Sequence, residues 1–219
     1  MGGKIGGFLS NDSWFGQLMS RIGIVVEANI LFCIFCLPVV TVGASYTALY
    51  YVMLKAIKEQ GDIHPVKEFW IGFRENFKQA TICWLAMLGL FAAGYLDIWW
   101  CRQAGGALVG FQYAIYAMGV MLLVLALYLF PVMAAFRNKI SVLVQTAFYF
   151  AFHKPLYLLL LAVITVFPQM FTFADRDMLP LYGFIWVTCG YALTAAIGAK
   201  LLYGQFEPYL TQNKNNGVD

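Results

Sequence analysis

Charged side chains are scarce in this chain. They make up 11% of its 219 residues, against roughly 25% in an average soluble domain. A water-facing shell cannot be assembled from so few, and 62% of the residues are hydrophobic, with a mean hydropathy of +0.73. The net charge is only +3, with no dense basic run, which excludes a nucleic-acid binder; the apolar content excludes intrinsic disorder. Cysteines number five, an odd count that gives no secreted disulfide framework. Cys33 and Cys36 form a C-x-x-C inside an apolar run with no second pair or ligand-spaced His, so zinc and thioredoxin readings fail and buried small hydrophobes describe them better. Neither His64 nor His153 has the acid and nucleophile that catalysis needs. Metalloprotease, P-loop and hydrolase-elbow motifs are also missing. The expectation is an integral membrane protein that is not an enzyme, with no catalytic residues, metal or cofactor.

Apolar runs are what the chain has instead. A spanning helix needs roughly 20 apolar residues to cross a hydrocarbon core about 30 Å thick. Residues 79–100, 107–133, 155–174 and 179–203 each meet that requirement. The run from Ile22 to Leu54 is too long for one crossing, and Pro38 and Gly43 interrupt it; one kinked helix or a hairpin with arms 22–37 and 40–54 would both fit. Lys and Arg collect in cytoplasmic loops, and this asymmetry favours the hairpin. Six segments with both termini inside put twelve of the 14 basic residues on one side, leaving Arg102 and Arg176 outside. The arms are short, about 24 and 22 Å by helical rise, so the hairpin can be tilted or re-entrant. A cleavable signal peptide is disfavoured, because Glu27 and Asn29 interrupt the apolar core and hydrophobicity continues past Val42-Gly43-Ala44. The fold class expected is therefore all-α: a single polytopic membrane helix bundle of about six segments.

Residues 65–78 form the clearest amphipathic stretch. Val66, Phe69, Trp70, Phe73 and Phe77 recur at helical spacing, with charged residues on the remaining faces and Pro65 suited to the first turn. Such a helix can lie in the interface, pack on the ends of its own bundle or dock a partner. On the docking reading, Phe69 and Phe73 changed to Ser should release the partner and leave the spans folded. Asn11, Asp12 and Ser13 offer caps for an N-terminal lead-in containing Trp14, Phe15 and Leu18. Residues 140–152 read equally as an interfacial helix or as an early start to the fifth span. Gly106-x-x-x-Gly110 and Ala192-x-x-x-Ala196 are small-residue packing motifs.

Glu27 is the one carboxylate placed inside a span, about 9 Å along the helix from Arg21. An intramembrane acid must face the bundle, find a partner or become protonated. With Asn29, Pro38, Thr41 and Gly43 it defines a possible intramembrane polar site, since a broken helix frees backbone carbonyls as transporter helices do. The simpler reading has Asn29 bonding a neighbouring helix, Thr41 satisfying the turn and Gly43 allowing close packing. Asp97, Asp175 and Asp177 fall near Tyr95, Trp99 and Trp100 on the proposed outer side, as membrane-boundary aromatics commonly do.

The stretch Asn29-Ile30-Leu31-Phe32-Cys33-Ile34-Phe35-Cys36-Leu37-Pro38-Val39-Val40-Thr41-Val42-Gly43-Ala44, followed by Ala48-Leu49-Tyr50-Tyr51, resembles the start of the YesL-like family. Phe69-Trp70, Phe73, Asn76 and Phe77-Lys78-Gln79-Ala80 continue the resemblance. It implies a bacterial multi-pass domain of unknown function in the cytoplasmic membrane, near carbohydrate uptake and without established catalytic or binding residues. Two functions follow as expectations. One is an accessory or regulatory component contacting sugar-transport subunits through the 65–78 face. The other is a small autonomous transporter or ion pathway using Glu27 and Asn29 beside the Pro38 break.

Overall fold

Leu, Ala and Met propagate helix at little cost, and in lipid every backbone polar group must be satisfied internally. The apolar runs therefore become helices, and their breaks fall at identifiable residues. The computed structural model describes residues 14–104, 108–175 and 177–215. Lys4, Asn11, Asp12, Ser13, Gly106 and Arg176, which entered the charge count, the cap and the packing motif above, lie outside the described residues. Helix α1 (Trp14–Cys36) passes through a 3-10 turn (Val39–Thr41) into α2 (Val42–Lys58). Then come α3 (Pro65–Ala104), α4 (Leu108–Ala135), α5 (Ile140–His153), α6 (Pro155–Ala174), α7 (Leu179–Ile185), a π turn (Trp186–Gly190) and α8 (Tyr191–Asn215). No strand occurs among the described residues, and six stretches are long and apolar enough to cross a bilayer. The chain is an all-α multi-pass membrane protein.

The N-terminal third doubles back. Pro38 is extended, with φ −76° and ψ 116°, so α1 stops and the chain reverses through the short turn. The Phe32 and Tyr46 rings meet across the two arms at 6.2 Å. At the other end of the hairpin, a Cβ placed on Gly61 would stand 3.7 Å from Arg21 Cγ. Gly61 closes α2 with φ +92° and donates its N–H to the Ala56 carbonyl at 2.8 Å, a left-handed conformation that glycine adopts without a Cβ penalty. The turn sits beside Trp84, whose Nε1 donates to the Val39 carbonyl at 2.8 Å. That is some twenty residues, about 30 Å of helix, before the end of α3, so the hairpin stops well short of the α3–α4 connection.

Helix α2 is the innermost element, and its closest neighbour is α3. A Cβ on Gly43 would fall 2.6 Å from Trp84 Cβ, and one on Gly72 2.9 Å from Tyr51 Cβ. With Ala44, Ala48 and Ala80 fully buried, small residues let the two backbones approach as membrane helices do. Lys55 Nζ reaches Glu68 Oε2 at 2.7 Å near the start of α3, and Arg137 after α4 pairs with Glu75. Together with the Gly61–Arg21 contact, these pairs gather basic side chains from three separate segments at one end of the bundle.

Two boundaries differ from the sequence reading, and one that it left open is resolved. The amphipathic stretch 65–78 and the span 79–100 are one continuous 40-residue helix. Polarity changes at Gln79, but no Pro or Gly stands between Phe73 and Leu88 to break the backbone. Residues 140–153 form a separate helix that ends at Lys154 (φ −135°, ψ 81°), because the residue before a proline is driven out of the helical region. The helix of the last span does not end at Tyr203: the apolar stretch reaches Tyr209 and the helix continues to Asn215, with the π turn Trp186–Gly190 set in its first half.

Candidate functional site

The π turn makes a specific demand. An extra residue in the ladder takes local carbonyls and N–H groups out of register with their usual helical partners, and in a bilayer they need others. Asn29 supplies them. Its residue is 0% exposed, its Nδ2 donates to the carbonyls of Trp186 at 2.9 Å and Val187 at 2.7 Å, and its Oδ1 accepts from the Ala192 N–H at 2.8 Å. A carboxamide carries two donors and an acceptor on one head, which is what this gap requires. Cys33 Sγ, one turn on, flanks the Val187 carbonyl at 3.9 Å. Trp186 Nε1 donates to Thr172 Oγ1 at 2.9 Å, tying α6 to the same turn. The first span is thus latched to the last across more than 150 residues of sequence.

The carbonyls freed at the Pro38 break are also occupied. Thr41 Oγ1 lies 2.6 Å from the Phe35 carbonyl and 2.8 Å from that of Pro38, and Trp84 takes the Val39 carbonyl. Gly43 faces Trp84, Ala80 and Phe130. Glu27 goes elsewhere. Two helical residues from Asn29 is a rotation of about 200°, and Glu27 is exposed while Asn29 is buried. The five residues of the predicted polar site therefore separate into an internal latch (Asn29), a satisfied turn with its packing contact (Pro38, Thr41, Gly43) and an outward carboxylate (Glu27). No common path joins them.

The predicted partner or lipid face divides as well. Phe69 is 1% and Phe73 8% exposed, and both rings pack on Phe35 of α1, at 5.6 and 4.9 Å between centroids. Val66, Trp70 and Phe77 are exposed. Phe69 and Phe73 are core residues, so changing them to Ser will not spare the spans. Phe69→Ala is expected to cost about 3–5 kcal/mol as a large-to-small core change, whereas Phe77→Ala should stay within about 0.5 kcal/mol. Denaturation of the detergent-solubilised variants by a graded unfolding detergent measures the difference. Equal losses would show that Phe69 does not anchor α3 to α1.

One group escaped the sequence reading altogether. Gln205 is buried two residues past the expected end of the last span, beside His153 and Lys154 at the corner between α5 and α6. A polar amide in an otherwise apolar stretch was the available signal. The Tyr149 and Tyr209 hydroxyls, 3.1 Å apart, stand in the same corner. Among the described residues no cluster of three His, Cys, Asp or Glu is placed to hold a metal ion.

No curated protein and no solved structure matches the chain. Residues 25–98, from the middle of α1 through most of α3, match the model of a family described as a protein of unknown function, DUF624. That stretch holds the Asn29 block, the Pro38 turn and the Gly43–Trp84 contact, the same residues that resemble the YesL-like family, and over this third of its length the chain is similar to DUF624.

Proposed function

We propose that the protein is a non-enzymatic accessory component of a bacterial cytoplasmic-membrane uptake system, and that it docks its partner through the outer face of α1. Glu27 carries this reading. It sits on an exposed stripe with Ile22, Ile30, Ile34 and Leu37, and it has no salt-bridge partner among the described residues. A carboxylate at depth costs about 2.5–3.5 kcal/mol on insertion scales, and a helix from another protein that offers a cation or hydrogen-bond donor offsets that cost. Gly23, where an added Cβ would meet nothing within 4 Å, leaves room for close approach on the same stripe. The resemblance to the YesL-like family points to carbohydrate uptake as the process served and to sugar-transport subunits as the partner.

Photocrosslinking from position 34 in native membranes tests this. The wild type should give a discrete adduct with a second membrane protein, and Glu27→Leu should reduce its yield at least tenfold. Identification of that adduct as a subunit of a sugar importer would place the process. Lipid adducts alone, or a protein adduct indifferent to Glu27, would sink the docking role.

A further inference from the structure

The corner between α5, α6 and α8 holds a pocket of about 320 Å³ lined by His153, Lys154, Gly204, Gln205, Pro208 and Tyr209. That volume lies within the range of small-ligand sites, about 300–1,000 Å³. Gln205 is 4% exposed, and neither its Nε2 nor its Oε1 has a hydrogen-bond partner. Buried amides without partners are rare because each unmet group carries its full desolvation penalty. The Tyr128 hydroxyl stands near enough to interact with Gln205, but no well-formed hydrogen bond joins the two. Gly204 of the lining adds a further acceptor, because Pro208 has no N–H and so cannot donate to its carbonyl, four residues before it in α8.

The pocket's charge has one sign. Lys154 is the first residue before α6, has no side-chain cap to that helix and stands 5.4 Å over the Tyr157 ring. His153 stacks on Tyr149 at 5.1 Å. The start of α6 and the end of α5 meet at this corner, so their partial charges offset one another and Lys154 supplies the net charge; no carboxylate lines the pocket. The Lys154 ammonium favours an anion at the rim, while the buried Gln205 amide and the carbonyl of exposed Gly204 favour hydroxyl groups.

We propose that this pocket binds a hydroxyl-bearing phosphate ester, with the phosphate at Lys154 and His153 and a hydroxyl between Gln205 and the Gly204 carbonyl. Glycerophosphate is the minimal ligand of that chemistry. It can arrive as the headgroup of phosphatidylglycerol, since α6 turns apolar from Leu156 onward, directly after the Lys154 that lines the pocket, or as a free phosphate ester from the aqueous phase. The site is independent of the docking face on α1.

Two arms separate the sources. In the first, the protein is extracted from mixed phosphatidylglycerol and phosphatidylcholine membranes and its retained lipid is read by native mass spectrometry. In the second, glycerol 1-phosphate is titrated calorimetrically into protein held in phosphatidylcholine nanodiscs. At least tenfold enrichment of phosphatidylglycerol assigns a lipid headgroup, and saturable heat from glycerol 1-phosphate assigns a soluble ester; either supports the site. Gly204→Met should then abolish the signal by filling the pocket, since a Cβ there meets nothing within 4 Å and the fold should be undisturbed. Lys154→Ala, at an exposed position, should weaken it at least tenfold whatever Gly204→Met does to expression. Absence of both signals overturns the proposal. A signal unchanged in Lys154→Ala overturns it too, and leaves Gln205 and Tyr128 to satisfy one another.

Discussion

Asn29→Asp will unfold at a markedly lower temperature than the wild type, although the two side chains have nearly the same shape. The substitution keeps the oxygen that accepts from the Ala192 N–H, but it sets a second oxygen against the carbonyls of Trp186 and Val187, now 2.9 and 2.7 Å from Nδ2. Acceptor then faces acceptor in a fully buried site, and relief requires protonating the acid. Asn29→Leu removes the clash but leaves two carbonyls and one N–H unpaired. Hydrogen bonds between membrane helices average about 0.6 kcal/mol in mutant cycles, whereas a buried group left unmet costs about 1–3 kcal/mol. The second figure governs here, because a π turn offers its displaced groups no alternative within the helix. A loss of about 2–5 kcal/mol is expected for either variant, roughly 5–15 °C in the midpoint for a chain of this size, read by thermal unfolding in detergent. A shift below 2 °C for both would mean that the π turn is satisfied without α1.

Gly43→Ala and Gly89→Ala are expected to have opposite signs. A methyl group at position 43 would meet Trp84 Cβ at 2.6 Å, the Ala80 carbonyl oxygen at 2.8 Å and Phe130 Cε1 at 3.0 Å. Two of these are backbone or near-backbone atoms that cannot swing away, so α2 and α3 must separate. Overpacking of this kind costs about 1–3 kcal/mol, and loss of the neighbouring contacts between α2 and α3 adds to it. At Gly89 and Gly119 nothing lies within 4 Å of the new atom, and alanine is the better helix former by about 1 kcal/mol. Those variants should hold or gain stability while Gly43→Ala loses it. Parallel denaturation of the three proteins decides the matter, and a tolerated alanine at 43 would show that α2 and α3 pack more loosely than described.

The architecture could be read from the sequence because its determinants are local or additive. Pro38 stops a helix by its own chemistry, and the basic residues sum over loops whatever the packing. Amphipathicity was a poorer guide: the aromatic face of residues 65–78 marks an apolar surface without saying whether lipid, a partner or Phe35 covers it. The continuity of α3 was missed for a related reason, since hydropathy registers the polar-to-apolar change at Gln79 and the backbone does not respond to it. Asn29 stands out in the sequence as a polar residue in an apolar run, but its partner is a backbone irregularity that no Pro or motif announces. Glu27 and Asn29 look like neighbours along the chain, and only helical geometry sends them to opposite faces. Gln205 lies past Tyr203, the expected end of its span, so hydropathy gives no sign that it is buried.

The unbroken α3 has a mechanical consequence. Forty residues of helix reach about 60 Å, and the rod is held along its length: α2 grips it as far as Ala80 and Trp84, and beyond them α4 takes over, where a Cβ on Gly94 would stand 3.3 Å from Ile115 Cγ2 and Arg102 Nη2 donates to the Tyr116 hydroxyl at 3.0 Å. A push on Glu68 or Arg74 would thereby be carried along one stiff element to the Arg102–Tyr116 contact at its far end, with no change of secondary structure along the way.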